Sequence, residues 1–195
     1  MARNDSFWVF GYGSLIWRPG FEYRAARPAR LYGAHRALCI YSHHYRGTPE
    51  KPGLVFGLVP GGSCNGMAFE VGCERHDEVL EYLRAREQVT SVYFEVQRTV
   101  RLDDGTRVTA TSFVVNRAHH QFSGKLSLRE QLRLVNNARG DAGTNRDYVL
   151  NTASHLEKLN IRDTYLYHLA QVLGDAQHKG KEAGQPEGVW EDSGG

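Results

Sequence analysis

The sequence predicts an α+β fold with a mostly antiparallel or mixed β-sheet. β-prone segments dominate the chain up to residue 115, whereas helical spacing of apolar residues dominates the C-terminal third. One further helical segment is inserted between two predicted hairpins. A chain of 195 residues suits one domain with enough length for a hydrophobic core.

The first predicted strand contains Phe7-Trp8-Val9-Phe10, an apolar run without alternation that is typical of a strand buried on both faces. A later pair of strands flanks Asp104-Gly105, a dipeptide that supplies the positive φ of tight hairpin turns. A second hairpin is predicted around Pro60-Gly61-Gly62. In chain order the predicted strands are 6–12, 30–43, 54–59, 64–71, 95–102 and 107–115.

Four helices are predicted, and the third has the clearest start. Thr144 or Asn145 is a suitable N-cap, and Asp147 in the first turn is favoured by the helix dipole. The segment 176–195 has few apolar residues, so we expect a disordered tail after a domain spanning 6–175. The predicted helices are 75–89, 127–138, 146–159 and 163–173.

The charge balance gives no electrostatic reason to expect a nucleic acid or an anionic membrane as partner. Basic residues number 24 and acidic residues 22, for a formal net charge of +2. No segment approaches the ~18 apolar residues of a membrane span, and residues 1–10 lack the apolar region of a secretory signal. The three cysteines, without a CxxC spacing, indicate free thiols in a reducing compartment, so we expect a cytoplasmic protein.

The stretch FGYGSL (residues 10–15) follows the first strand and resembles three enzyme motifs without matching any. A dinucleotide fingerprint needs glycine where Ile16 stands, and a nucleophile elbow needs one residue between its first glycine and the serine, whereas Gly13 directly precedes Ser14. A P-loop needs Gly-Lys-Ser/Thr, which the chain lacks. The backbone N–H groups of residues 13–15 suit a carboxylate or an oxyanion. The alternative is a turn whose glycines serve steric needs alone.

Glu87 is the candidate general base. It follows Leu80 by seven positions and Leu83 by four, so the helix 75–89 places it on the buried face. Burial and the C-terminal end of the helix dipole both raise the pKa of a carboxyl group, which suits a base working near neutral pH. The alternatives are a salt bridge to Arg84 or Arg86, or exposure at a frayed helix end.

A metal site is not expected. The pairs His43-His44 and His119-His120 are adjacent in sequence, and adjacent residues on a strand point to opposite faces, so neither pair chelates from one side. The chain has no H-x-x-x-H or Cys/His cluster.

Several segments together resemble the ChaC family of glutathione-specific γ-glutamylcyclotransferases, in particular its bacterial branch. The resemblance covers about residues 6–170 and is strongest where the Tyr-Gly-Ser-Leu signature is joined to an Arg-Glu on the next helix and a late Asn-x-x-Tyr helix start. The segments are VFGYGSLIWRPGF (9–21), YSHHYRGTPEKPGLVFGL (41–58), GGSCNGMAFEV (61–71), YLRARE (82–87) and GDAGTNRDYVLNTASHLEKLNIRD (140–163).

The resemblance implies a γ-glutamylcyclotransferase-like fold, a mixed sheet forming a small β-barrel with flanking helices. It also implies cleavage of glutathione to 5-oxoproline and Cys-Gly by the substrate's own α-amine, with no cofactor, no metal and no enzyme nucleophile. The family's catalytic glutamate corresponds to Glu87. On this resemblance, Tyr12, Gly13, Ser14 and Leu15 are expected to bind the substrate. Tyr148 is either a further substrate contact or a core aromatic residue. The implied partner is a small molecule, and the oligomeric state is left open.

Two departures from animal members of the family affect the expected substrate preference. Those members have Gly-Tyr where this chain has Val92-Tyr93, and an arginine after Pro-Gly where this chain has Leu54. A contact to the Cys-Gly part can therefore differ. The alternatives are a cyclotransferase for other γ-glutamyl peptides or amines, a catalytically inactive binding module, and an accessory protein of cation transport; the sequence has no membrane span to support the last.

Overall fold

A computed structural model describes residues 5–87 and 91–182 of the chain and has the predicted α+β architecture. Five strands form a closed barrel in the order β1-β3-β2-β4-β5, and helices pack around it. The strands are β1 Ser6–Gly11, β2 Ala25–Ser42, β3 Gly53–Gly72, β4 Tyr93–Leu102, β5 Arg107–Val115, β6 Arg139–Gly140 and β7 Gly143–Thr144. The helices are α1 His76–Glu87, α2 Leu128–Asn137, α3 Asn145–Lys158 and α4 Thr164–Glu182.

The barrel closes through a parallel pairing between β1 and β5, in which Trp8 lies opposite Ala110. All the other long pairings of the barrel are antiparallel, so the sheet is mixed. The barrel interior is filled by large side chains that have almost no exposed surface, among them Phe10, Phe69 and Phe113. Strand β5 also pairs with β3, in parallel, where Leu58 lies opposite Val114.

The predicted hairpin around residues 60–62 is wrong. Strand β3 runs through Pro60, and it pairs with β2 from Gly53 opposite Ser42 to Glu70 opposite Ala25. Gly61 and Gly62 have φ values of 98° and 74°, and the register with β2 shifts at this point. The two glycines therefore form a bulge within one long strand, which Pro60 tolerates because bulges do not require every backbone N–H.

The hairpin predicted at Asp104-Gly105 is confirmed. The Leu102 N–H donates to the Thr106 carbonyl at 2.8 Å, and Gly105 has a φ of 90°. Strands β4 and β5 pair in register from Arg101 opposite Arg107 to Tyr93 opposite Val115. The turn chemistry thus sets the register of the hairpin.

The C-terminal helices start where the sequence indicates. The Thr144 hydroxyl accepts a 3.0 Å hydrogen bond from the Asp147 N–H and caps α3, which decides between the two candidate caps. Helix α4 continues to Glu182, past the predicted end at residue 173, and takes in residues 176–182 of the predicted tail. Residues 183–195 of that tail lie outside the described residues, so the domain boundary stays a prediction.

Cys39 and Cys64 are buried free thiols, whereas Cys73 is exposed. In the part of the chain that the structure describes, no helix is both long and apolar enough to cross a membrane.

Candidate active site

A cavity of about 480 Å³ opens at the end of the barrel where β1, β2 and β5 finish and β3 and β4 start. All five strands of the barrel contribute to the cavity wall, β1 through the loop that follows it. Tyr41 and Phe113 lie near the ends of β2 and β5, and Phe56 and Tyr93 lie near the starts of β3 and β4. The residues that the sequence predicted for the site all line this cavity. They are Tyr12, Gly13, Ser14, Leu15, Glu87 and Tyr148.

The chain leaves β1 at Gly11 and forms the glycine turn (residues 11–15), whose last residues begin a short 3-10 helix. The Ile16 N–H donates to the Gly13 carbonyl at 3.0 Å and closes this turn. The leading N–H groups of such a turn have no partner within it, and here they belong to residues that line the cavity. A side chain at Gly11 would lie 3.1 Å from the Leu15 Cβ, so the tight turn accounts for this glycine.

Glu87 is the last residue of α1, whose buried face consists of Val79, Leu80 and Leu83. Its side chain retains only 18% of its surface. Burial raises the pKa of the Glu87 carboxyl group, and the nearby Arg86 charge opposes that rise. The carboxyl group is thus less acidic than usual, as the helical spacing predicted.

Arg86 connects Glu87 to the glycine turn. Its Nε lies 3.5 Å from a Glu87 carboxylate oxygen, while its Nη2 donates to the Ser14 hydroxyl at 2.8 Å. It also donates to the Arg18 carbonyl at 2.7 Å and to the Tyr82 hydroxyl at 2.8 Å. The sequence indicates Arg86 only as a possible salt-bridge partner of Glu87. Its link between Glu87 and Ser14 joins positions some seventy residues apart, which local spacing does not indicate.

Tyr148 reaches the cavity from the first turns of α3. Its hydroxyl oxygen accepts a 3.2 Å hydrogen bond from the Phe56 N–H, and the Tyr93 hydroxyl donates to the Phe56 carbonyl at 3.1 Å. Burial raises the pKa of Tyr148 to about 12, so its hydroxyl stays protonated at neutral pH. Because the contact to Phe56 uses a lone pair, the Tyr148 proton remains available to a ligand.

The backbone of Tyr12 is held in place by a buried arginine. Arg36, which is almost fully buried, donates through Nε to the Tyr12 carbonyl at 2.6 Å and forms an ion pair with Asp163 at the start of α4. The Tyr12 side chain is also buried, and that burial is the main reason why its pKa lies well above the ordinary value. This residue of the glycine turn is therefore fixed through Arg36 to β2 and to Asp163, which directly precedes α4.

The cavity is cationic. Among the described residues that line it, Glu87 is the only carboxylate, whereas Arg18, Arg46 and Arg86 all contribute guanidinium groups. Arg46 comes from the loop between β2 and β3, and its guanidinium carbon lies 5.2 Å from the centre of the Tyr148 ring. No periodic pattern in the sequence indicates this arginine, because it lies in an irregular, turn-rich loop.

The departures from the animal family pattern lie in different places. Leu54 is fully buried and its backbone bonds Asn145, and it is not one of the residues that line the cavity. Val92 and Tyr93 do line the cavity. Within the described ranges, His, Cys, Asp and Glu residues do not form any group of three or more that could hold a metal ion.

Comparison with known proteins places the chain among related sequences. The family model described as ChaC-like protein matches residues 7–176. A glutathione-specific γ-glutamylcyclotransferase of Escherichia coli is 33% identical over 162 residues, which cover 83% of this chain and 70% of the relative. A glutathione-specific γ-glutamylcyclotransferase 1 of Danio rerio is 29% identical over 179 residues, covering 89% and 91%.

Solved structures show the same fold. A yeast γ-glutamyl cyclotransferase specific to glutathione superimposes with a TM-score of 0.80 at 23% sequence identity. The match covers 88% of this chain and 97% of the yeast chain. The predicted small barrel with flanking helices is therefore confirmed.

Proposed function

Because this chain belongs to the ChaC-like protein family, we propose that it is a γ-glutamylcyclotransferase that cleaves glutathione to 5-oxoproline and cysteinylglycine. The names of the bacterial and zebrafish relatives support this activity. The observation that carries the proposal is Glu87, a buried carboxyl group with a raised pKa in the same cavity as the glycine turn.

In the proposed reaction the nucleophile belongs to the substrate. The α-amine of the γ-glutamyl group attacks the γ-carbonyl carbon, a ring C–N bond forms, and the bond to the cysteine nitrogen breaks. Glu87 takes a proton from the α-ammonium group, which frees the lone pair for attack. The same carboxyl group then gives that proton to the departing cysteine nitrogen, so the enzyme returns to its starting state. A second proton of the original ammonium group leaves the ring nitrogen as the lactam forms, and the released cysteine amine takes it up to become an ammonium group.

The glycine turn would hold the γ-glutamyl α-carboxylate with the backbone N–H groups of residues 13–15. Ser14 then helps to bind the substrate and is not a nucleophile, since its hydroxyl already accepts a hydrogen bond from Arg86. Tyr148 would donate its free proton to the same end of the substrate. Fixing the amine against the carbonyl in a five-membered geometry can supply several kcal/mol of the acceleration.

The cavity charge supports an anionic substrate. Glutathione has two carboxylates and one ammonium group, and the described lining residues offer three guanidinium groups against one carboxylate. One carboxylate is assigned to the glycine turn. The other is the carboxylate of the glycine residue, and Arg46 and Arg18 are the remaining cationic groups of the cavity that could bind it.

The test is release of 5-oxoproline from reduced glutathione by the purified protein in the presence of a chelator. We expect turnover by the wild type and a loss of at least about 100-fold in kcat for Glu87→Gln, which keeps the shape of the side chain but cannot exchange the proton. Glu81→Gln, at an exposed position of the same helix, is the matched control and should retain activity. Near-normal turnover by Glu87→Gln would refute the assigned mechanism.

The alternative substrates are other γ-glutamyl peptides or amines, which would use the same glycine turn and Glu87. Val92-Tyr93 supports keeping this alternative, since these residues line the cavity and differ from the animal pattern. A panel containing glutathione, γ-glutamyl-alanine and a γ-glutamyl amine separates the two. If only the last two release 5-oxoproline, the reaction class holds and the glutathione assignment does not.

A further inference from the structure

Arg86 lies beside the proposed base without closing on it. Its Nε is 3.5 Å from a Glu87 carboxylate oxygen, whereas a hydrogen-bonded pair of these groups closes to about 2.7–2.9 Å. The two side chains keep only 20% and 18% of their surface exposed, so little water screens their attraction. The gap is therefore maintained by other groups that hold the guanidinium.

Four oxygen atoms accept hydrogen bonds from the terminal nitrogens of Arg86. Nη1 donates to the Tyr82 hydroxyl at 2.8 Å. The same nitrogen donates to the Arg18 carbonyl at 2.7 Å and to the Pro19 carbonyl at 3.4 Å, and Nη2 donates to the Ser14 hydroxyl at 2.8 Å. Tyr82 is the acceptor that lies on α1 itself, four residues before Arg86. Its hydroxyl can be removed without altering the glycine turn or the backbone.

The loop before β2 leaves room for the Tyr82 hydroxyl at Gly20. A Cβ at this glycine would lie 2.0 Å from the Tyr82 hydroxyl oxygen and 2.6 Å from the ring carbon Cζ. The Tyr82 ring also packs edge-on against Phe21, with 6.3 Å between the ring centres. The loop therefore fixes the position from which the hydroxyl binds Arg86.

Resting on the proposed function, we propose that Tyr82 is a positioning residue whose hydroxyl holds the Arg86 guanidinium away from the Glu87 carboxylate. A fully bonded arginine would occupy lone pairs of the carboxylate and stabilise its charged form, which makes a weaker base. At 3.5 Å the guanidinium still favours the ionised carboxylate but leaves its oxygens free to take a proton from the substrate.

Other ionisable groups surround Glu87 and are the same in every variant compared below. Three of them are buried tyrosines that interact electrostatically with Glu87, and burial raises the pKa of each, to about 12 for Tyr148, so they stay neutral near pH 7. A difference between variants therefore reports on Tyr82 and Arg86. The surrounding groups include Tyr12, Arg18, His43, His44, Arg46, Tyr93 and Tyr148.

The experiment follows the titration of the Glu87 carboxyl group by NMR, in protein labelled at the side-chain carboxyl carbon of glutamate. Glu87→Gln identifies the signal. Tyr82→Phe keeps the ring and removes the hydroxyl, so the guanidinium should close on the carboxylate and the titration midpoint should move to lower pH by about one unit. The acid limb of kcat/KM for glutathione should move the same way, and its plateau should fall roughly threefold because the base is weaker.

Two further variants test whether the hydroxyl acts through Arg86. Tyr82→Phe added to Arg86→Met should titrate as Arg86→Met alone does, because the guanidinium is already absent. Tyr167→Phe is the matched control, since it removes a hydroxyl that donates to the Ile161 carbonyl and does not line the cavity. Its midpoint and acid limb should coincide with those of the wild type.

The outcomes are separable. An unchanged or raised midpoint in Tyr82→Phe overturns the inference, and so does a loss of kcat/KM without a change of midpoint, which would show that Tyr82 acts on the substrate directly. A further fall of the midpoint when Tyr82→Phe is added to Arg86→Met also overturns it. The NMR arm needs no turnover. If the wild type releases no 5-oxoproline from glutathione, the proposed function fails, whatever the midpoints show.

Discussion

Two adjacent side chains at the end of α1 set the pH range in which the proposed base is ionised. Burial raises the pKa of Glu87, and the Arg86 charge lowers it. The base works only as a carboxylate, so kcat/KM should fall as the pH drops through that pKa. Arg86→Met removes the lowering influence and should move this acid limb to higher pH, as measured by a pH profile of kcat/KM.

The matched control for this prediction is Arg84→Met. Arg84 lies two residues away, is half exposed and pairs with Glu95 across to β4 at 2.7 Å. We expect its acid limb to coincide with that of the wild type. An unchanged limb in Arg86→Met would show that the limb reports a group other than Glu87. The height of the Arg86→Met profile should also drop, since the contact with Ser14 is lost.

Glu87 and Gln121 show what the sequence can and cannot reveal about single residues. The helical period placed Glu87 on the face of Leu80 and Leu83, and burial of that face follows directly. Gln121 lies in an irregular segment, and its place in the cavity wall depends on its hydrogen bond to Tyr41 in β2, some eighty residues earlier. No local pattern encodes that contact, so the sequence could not single it out.

At the scale of elements, the start of α3 substitutes for a missing strand. From Leu58, where β5 pairs with β3, back to the start of β3, none of the described strands pairs with β3 on the side opposite β2. Asn145 accepts from the Leu54 N–H at 2.7 Å and donates to the Leu54 carbonyl at 2.6 Å. Tyr148, one helical turn later, satisfies Phe56, two residues along the strand. The Asn-x-x-Tyr spacing thus places two side chains from one helical turn against alternate residues of the strand.

This arrangement predicts that Asn145→Ala destabilises the protein strongly. The substitution leaves a buried N–H and a buried carbonyl of Leu54 without partners, at a cost of roughly 2–4 kcal/mol in the free energy of unfolding. Denaturant unfolding measures the loss. Asn137→Ala, at an exposed asparagine that bonds the Arg133 carbonyl on α2, should change stability little. Equal effects of the two substitutions would contradict the role given to Asn145.

The predicted hairpin at 60–62 failed for a reason that belongs to this same scale. Pro-Gly-Gly is typical of turns, and the apolar segments on either side have hairpin-like lengths. The structure instead pairs both segments with the single long strand β2, where Gly61 and Gly62 form a bulge opposite Gly33. Local turn chemistry does not distinguish a bulge from a hairpin when a long partner strand is available.

At the scale of the whole molecule, the closed barrel was implied by the resemblance and not by any pattern in the residues. Apolar runs and turn signals predicted strands and two hairpins, one of which is confirmed, whereas closure depends on the parallel contact of β1 with β5, about a hundred residues apart. That closure also creates the site, because it brings the glycine turn, the end of β2 and the start of β4 to one rim. The predicted site residues therefore converge only in the folded chain.

The distribution of charge over the molecule leads to the last prediction. The formal net charge is only +2, so attraction of an anionic substrate depends on the local field of Arg18, Arg46 and Arg86 in the cavity. Salt screens such a field, and kcat/KM for glutathione should fall roughly threefold from low to high ionic strength while kcat stays constant. The ethyl ester of glutathione at its glycine carboxylate should show a weaker dependence, because it lacks one of the two carboxylates. A salt effect confined to kcat would contradict the assignment of these arginines to substrate binding.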